Sequence, residues 1–489
     1  MNEIDSIQKI ISLENHLVSS TFIIDKSSLG GLGVIATKFI KKGSLIFTNK
    51  PLVVGPRVGC VKEKFCCSCF EISDECYICD KCFLFICSQN CANSQNHEKQ
   101  CLIIRKIRRF KIKSDASSIT LSVLIIYFNC LLLTENQKTL LENFQRNEND
   151  NSFEDLDAIY SAVTLSDEHI KFLRTAISIL KINSFRISNT NKKIQLRGLY
   201  PLSSFLNHSC IPNSRNLFKK DYTMEVYASR DIKEGDEITT CYTGLLCCNP
   251  VRRLLLYNTK NFWCTCLRCS DVTEMNTNLS ALHCFKENCF GIILPQSPLD
   301  INTSWVCQYC ATIVPPQKIG FIQSILGSLV GTVDLSENYS EDVPVLRRLR
   351  KILPSSNYVL EVMRFSRAIT IGYEDKSGLN ELSESQLSLK ERLCRCTLRT
   401  AAALGVGDAH LRGLLLYHLH AALAERARRH PDLYEELKSE IESTIQEASN
   451  ILKDDISSPP DLEIRRQYLG PDCDKTQQER FFILDTQKH

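Results

Sequence analysis

Followed from residue 20 onward, apolar and polar positions alternate between two β-type stretches and two helical ones. Within 20–55, the runs Thr21-Phe22-Ile23-Ile24, Val34-Ile35-Ala36 and Leu45-Ile46-Phe47 are separated by Gly30-Gly31-Leu32-Gly33 and Lys41-Lys42-Gly43, which predicts a strand meander. Residues 102–182 instead repeat apolar positions three and four apart, the period of amphipathic helices, with polar turns such as Glu148-Asn149-Asp150-Asn151 between them. The apolar stretch 121–133 contains Asn129 and falls short of the ~20 residues needed to cross a bilayer, so it reads as a buried helix. A second β-rich stretch includes Met224-Glu225-Val226-Tyr227-Ala228 and a turn at Lys233-Glu234-Gly235-Asp236. From about 318 helices return, with 411–427 and 433–452 amphipathic and His430-Pro431-Asp432 breaking the chain between them. No short-period repeat is visible.

A chain of 489 residues exceeds one hydrophobic core, so several packed units are expected. The net charge of +3 gives no electrostatic argument for nucleic acid or an anionic membrane surface. Twenty-five cysteines change the picture more. The start Met1-Asn2-Glu3-Ile4-Asp5 has early acids and no basic segment leading into an apolar run, so no export signal is expected. Metal ligands in the reducing cytosol or nucleus are then favoured over disulfides.

Nine cysteines fall between Cys66 and Cys101, and eight soft ligands there form four close pairs: Cys66-x2-Cys69, Cys79-x2-Cys82, Cys87-x3-Cys91 and His97-x3-Cys101. Zinc takes four ligands, so eight make two closed sites, whose metal would supply folding free energy that so short a segment cannot draw from an apolar core. The pattern resembles the MYND zinc finger. That resemblance implies interleaved sites, one on Cys66, Cys69, Cys87 and Cys91 and the other on Cys79, Cys82, His97 and Cys101. Cys76-x2-Cys79 offers an alternative pairing.

Four further features follow in order: Gly31-Leu32-Gly33, Asn207-His208-Ser209-Cys210, Gly235-Asp236-Glu237-Ile238 leading to Tyr242, and Cys264-x-Cys266-x2-Cys269. A glycine turn lets backbone approach a ligand that no Cβ obstructs. Together the four resemble a SET domain, and with the finger, Asn183-Ser184-Phe185, Gly198-Leu199-Tyr200-Pro201 and Arg252-Arg253 the order is similar to the SET and MYND family, in its arthropod branch at Cys269-Ser270-Asp271-Val272-Thr273-Glu274.

The resemblance implies an α+β multidomain protein: a SET-type β-fold with a pseudoknot, an inserted MYND finger, a helical insertion, a post-SET zinc site and a helical C-terminal domain. The corresponding segments are 1–60, 61–104, 105–185, 186–250, 251–317 and 318–489. It implies a protein-lysine methyltransferase using S-adenosylmethionine on histone or non-histone lysines, the alternative being a weakly active scaffold of the corepressor type that recruits partners. Tyr242 would be catalytic. Gly31, Leu32, Gly33, Asn207, His208, Tyr242 and Phe262 would hold the cofactor, Phe262 packing on its adenine, and Leu32 stands where several relatives carry a polar residue. Cys210 would join Cys264, Cys266 and Cys269 as the ligands of a third zinc. Cys284-x4-Cys289 and Cys307-x2-Cys310 have the spacing of a zinc ribbon and offer a fourth. The expected partners are a lysine-bearing protein and proline-rich peptides at the finger, with no membrane, no direct nucleic-acid binding and a monomeric state.

Overall fold

In the computed structural model of the chain, residues 21–58, 61, 63–107, 115–146, 154–187, 194–332, 344–373 and 378–471 are described. The segments 1–20 and 148–151, where the sequence suggested an unexported start and an acidic turn, lie outside them.

The strands Phe22–Lys26 and Leu32–Ala36 form an antiparallel hairpin with Phe22 opposite Ala36 and Lys26 opposite Leu32. Its turn holds Gly30 and Gly31 at φ of 113° and 66°, left-handed values that side chains with a Cβ resist. The meander expected over 20–55 stops there. Leu45–Asn49 pairs with Met224–Ala228, which pairs in turn with Ser214–Phe218. Val53–Pro56 pairs with Leu196–Leu199 in another sheet. Strand pattern is local whereas pairing is not, and burial of both partners fixes it: Phe47 and Val226 are paired and nearly inaccessible.

The apolar stretch 121–133 is not one helix. Asp115–Val123 and Ile125–Leu131 are separate, joined at Leu124. The second helix lies on the strand Val53–Pro56, where Ile126 Cβ would stand 2.6 Å from any Cβ placed on Gly55. That close approach requires a glycine at position 55.

One hydrophobic core joins the SET-like strands, the helices between 95 and 183 and one side of the finger, including Phe47, Leu84, Ile126, Leu180 and Val226. A second joins Leu282, Ile293 and Trp305 to the C-terminal helices through Met363, Leu393, Leu415 and Ile441. The helices His410–Arg429 and Tyr434–Leu452 are separated by the 3-10 turn Pro431–Leu433. Backbone bonds dock this helical region on the strands: Asp408 N donates to Ser229 O and Ile456 N to Phe218 O. The buried Arg215 reaches across to the carbonyls of Ile451 and Asn450 at 2.9 and 3.0 Å. No helix among the described residues is long and apolar enough to cross a membrane.

Candidate active site and metal clusters

Metal ligands require convergence, and the chain supplies it four times. Cys66, Cys69, Cys87 and Cys91 form one set and Cys79, Cys82, His97 and Cys101 a second. Cys210, Cys264, Cys266 and Cys269 form a third, and Cys284, Cys289, Cys307 and Cys310 a fourth; within each set the ligand atoms lie within 4.8 Å of one another. Zinc with ~2.3 Å bonds to sulfur sets tetrahedral edges of ~3.8 Å. The sulfur separations agree: Cys69 to Cys87 3.7 Å, Cys87 to Cys91 3.6 Å, Cys210 to Cys269 3.5 Å, Cys284 to Cys310 3.6 Å and Cys289 to Cys307 3.7 Å. The sets therefore fit zinc.

In the finger, His97 Nδ1 faces Ala92 O at 2.7 Å, which leaves Nε2 as the ligand nitrogen, 3.4 Å from Cys82 Sγ. A hydrogen bond from Cys69 brings Cys66 down to about 4, and one from Cys82 brings Cys79 down to about 3, so each site starts with a ready thiolate. Cys76 stands outside both sets, buried with Phe85 and Ile86 in a small apolar cluster. Cys67 is buried too, and burial pushes its thiol up. The fourth set sits on an antiparallel sheet in the order Leu282–His283, Ile292–Pro295, Trp305–Cys307, Ile313–Val314, with Gly291 packed where a Cβ would lie 2.6 Å from Cys307 Sγ.

The third set is tied to the candidate catalytic residues. Asn207–His208 runs parallel to Glu237–Thr240, with Asn207 opposite Thr239 and His208 opposite Thr240. Asn213 clamps the same strand, accepting from Thr239 N at 2.7 Å and donating to Glu237 O at 2.8 Å. Tyr242 N donates to His208 Nδ1 at 3.0 Å, so the ring's proton sits on Nε2, which faces Cys210 Sγ at 3.2 Å. The Tyr242 hydroxyl donates to Leu206 O at 2.6 Å, and burial pushes its phenol above the ordinary range. The His208 ring lies 5.2 Å from Tyr242 and 6.0 Å from Phe262, and both aromatics pack against the Cys210 cluster.

The side chains of Asn207 and His208 thus engage protein partners. Asn207 Nδ2 donates to Leu32 O at 3.0 Å and to Glu237 Oε1 at 2.7 Å, while Ser27 Oγ donates to Glu237 Oε2 at 2.7 Å. Glu237 therefore joins the glycine hairpin to the Asn-His strand. A Cβ on Gly33 would fall 2.3 Å from its Oε1, whereas one on Gly31 meets nothing within 4 Å. Gly33 makes room for Glu237, and Gly31 borders open space.

Sequence reasoning assigned no role to Glu237, Ser27, Arg252, Arg268, Glu274 or Lys260. Arg252 and Arg268 are fully buried and pair with Glu274 at 2.5 and 3.4 Å. Arg252 also directs Nε at Cys210 Sγ, 3.2 Å away, and Nη2 at Cys269 Sγ, 3.6 Å away. The signal available was Arg252-Arg253 just ahead of the cysteine triplet, with Glu274 just beyond it.

A SET-domain family model matches residues 31–243, from the glycine turn to the residue after Tyr242. The chain is 28% identical over 403 residues to the Drosophila melanogaster SET domain-containing protein SmydA-8, isoform A, covering 80% of this chain and 86% of that protein. It is 27% identical over 266 residues to the human histone-lysine N-methyltransferase SMYD3, covering 49% and 59%. Against a SET and MYND domain-containing protein of Dictyostelium discoideum, identity is 42% over 72 residues, 15% of this chain and 21% of that one. A SET core, the finger's paired ligand sets and these relatives make the chain similar to the SET and MYND family of protein lysine methyltransferases.

Proposed function

We propose that the chain transfers methyl groups from S-adenosylmethionine to lysine side chains of other proteins, histone or non-histone. The observation that carries this reading is the meeting of Tyr242, His208 and Phe262 beside the Asn207–Glu237–Leu32 links to the glycine turn. The cofactor, when bound, supplies an electrophilic methyl on a sulfonium. Open space beside Gly31 and the half-buried Phe262 fit a bound nucleoside, with Gly31, Leu32 and Gly33 offering backbone and Asn207 and His208 holding the wall behind it.

The remaining task is to align an acceptor amine and keep it neutral. Free lysine has a pKa of about 10.4, and a water-poor channel lowers it because burial disfavours the ammonium. Tyr242 stays protonated under the same burial and orients its hydroxyl in that channel. The cytosol or nucleus is the compartment proposed for this work, since thiolate-rich clusters are favoured where the medium is reducing. The finger is the surface for proline-rich peptide partners.

The test is incubation with isotope-labelled S-adenosylmethionine and cell extract, followed by mass spectrometry of modified lysines and measurement of S-adenosylhomocysteine. Labelled lysines with stoichiometric S-adenosylhomocysteine are expected. Cofactor binding without turnover on any protein would instead support the scaffold reading.

A further inference from the structure

An acceptor for this chemistry must be a primary amine that is stripped of water, lacks a neighbouring carboxylate to hold its proton, and lies against Tyr242. The protein carries such an amine in its own chain. Lys260 ends the helix Asn249–Lys260, where Asn261 turns the backbone at φ 59° and leads within one residue to Phe262. Its Nζ lies over the Tyr242 ring, 5.3 Å from the centroid. The same Nζ donates to Ile182 O, near the C-terminal end of the helix Asp167–Asn183.

We propose that Lys260 is a self-methylation site, modified by the chain's own active centre. The inference rests on the methyl-transfer reading above and adds a named acceptor to it. Burial alone pushes the Lys260 ammonium down to about 8, so at pH 7 about a tenth is the free amine that the reaction needs, against well under a thousandth for an ordinary lysine. A structural lysine at a helix C-terminus is usually solvated and held as a cation. Lys260 is instead part-buried and faces the catalytic aromatic, at the end of a flexible four-carbon stem whose terminal torsions can redirect Nζ from Ile182 O toward the reacting methyl.

The step balances without a further reagent. The proton of the ammonium passes to water before reaction. The Nζ lone pair then forms the N–C bond as the S–CH3 bond breaks, its electron pair staying on sulfur as the thioether of S-adenosylhomocysteine. The product is a methylammonium. A methylated Lys260 keeps its charge once protonated but is bulkier, so it narrows the approach to Tyr242.

The experiment uses the full chain with trideuteromethyl-labelled S-adenosylmethionine and no added substrate, with mass spectrometry of the peptide containing Lys260. We expect deuteromethyl groups on Lys260, at a fractional rate independent of protein concentration across a dilution series, as an intramolecular step requires. Tyr242→Phe should lose this label, and Lys260→Arg, which keeps the cation at the helix end, should lose it from that peptide alone. A second readout needs no turnover: S-adenosylhomocysteine should protect Lys260 from a trace amine-acylating reagent. Equal acylation with and without it would place the amine away from the cofactor and overturn the proposal. So would a protein that labels lysines in cell extract while Lys260 carries no methyl, or a rate that rises with protein concentration. A protein that labels nothing, in itself or in extract, overturns this inference and the methyl-transfer reading together.

Discussion

Replacing Tyr242 by phenylalanine removes one oxygen whose partners are known, which lets its structural and chemical effects be separated. The hydroxyl donates to Leu206 O at 2.6 Å, next to Asn207 in the chain. Losing that donor leaves a carbonyl short of a partner, a penalty of about 1–3 kcal/mol if water cannot reach it. The ring itself keeps its place against His208 at 5.2 Å and against the Cys210 cluster. Against ~5–15 kcal/mol of domain stability, such a loss leaves nearly all molecules folded. The rate is a different matter: removing one preorganised polar contact at a reacting centre lowers turnover ~10²–10³-fold, on the order of 3–4 kcal/mol of transition-state stabilisation. Single-turnover methyl transfer should therefore fall by that factor. Calorimetric S-adenosylmethionine affinity should change little, and the melting temperature should drop by only a few degrees. A folded, cofactor-binding Tyr242→Phe protein as fast as the parent would show that the hydroxyl serves only Leu206, and the catalytic assignment would fall.

Elemental analysis of the purified chain should give four zinc ions, and Cys284→Ser with Cys307→Ser should remove one; a value near two would confine the metal to the finger. Asn207→Ala should weaken S-adenosylmethionine binding roughly ten- to a hundredfold by calorimetry, because it unties Leu32 O and Glu237 from the Asn-His strand; unchanged affinity would separate this network from the cofactor. Gly31→Ala and Gly33→Ala should both weaken cofactor binding, the first because Gly31 holds a φ of 66° that alanine resists and borders the open space, the second because its Cβ would meet Glu237 Oε1 at 2.3 Å; unchanged affinity in both, read by the same titration, would separate the glycine hairpin from the cofactor.

The finger's four ligand pairs were legible because zinc ligands sit at fixed local spacings that survive whatever the rest of the chain does, whereas their interleaving came from family resemblance. The grouping of Cys210 with a triplet more than fifty residues away came from family resemblance, since no local pattern encodes it. Strand existence was legible and strand partnership was not: Leu45–Asn49 carries the same alternation whether it pairs with its neighbour or, as it does, with Met224–Ala228. The seat of the helix Ile125–Leu131 on Gly55 was hidden for a related reason, since the two are remote in sequence. Glu237, Arg252 and Glu274 escaped because a charged residue's ordinary place is the solvated surface, and only the fold shows that Arg252 and Glu274 are enclosed and Glu237 half-buried. Lys260 stands in no motif, and only the fold sets its Nζ over the Tyr242 ring.

The third cysteine set reaches the proposed catalytic tyrosine through one histidine. Four thiolates around a divalent zinc would carry net negative charge into a site where Cys210 and Cys269 are fully buried, and such charge needs compensation close by. Arg252 provides it directly, with Nε 3.2 Å from Cys210 Sγ, and Arg268 adds a second cation against the single carboxylate of Glu274. Cys210 then presents a thiolate that accepts the proton on His208 Nε2 at 3.2 Å, which leaves Nδ1 to accept from Tyr242 N at 3.0 Å. That one tautomer satisfies both bonds. A His208 with its proton on Nδ1 would face the Tyr242 N–H donor to donor and push that backbone away. The orientation of Tyr242 is therefore set twice, by its hydroxyl on Leu206 O and by its amide on His208. The second of these rests on the charge state of a metal-bound sulfur. A zinc held by Cys210, Cys264, Cys266 and Cys269 would need no contact with substrate to matter, because it would keep Cys210 a thiolate, and Cys210 faces the imidazole that accepts from the Tyr242 amide.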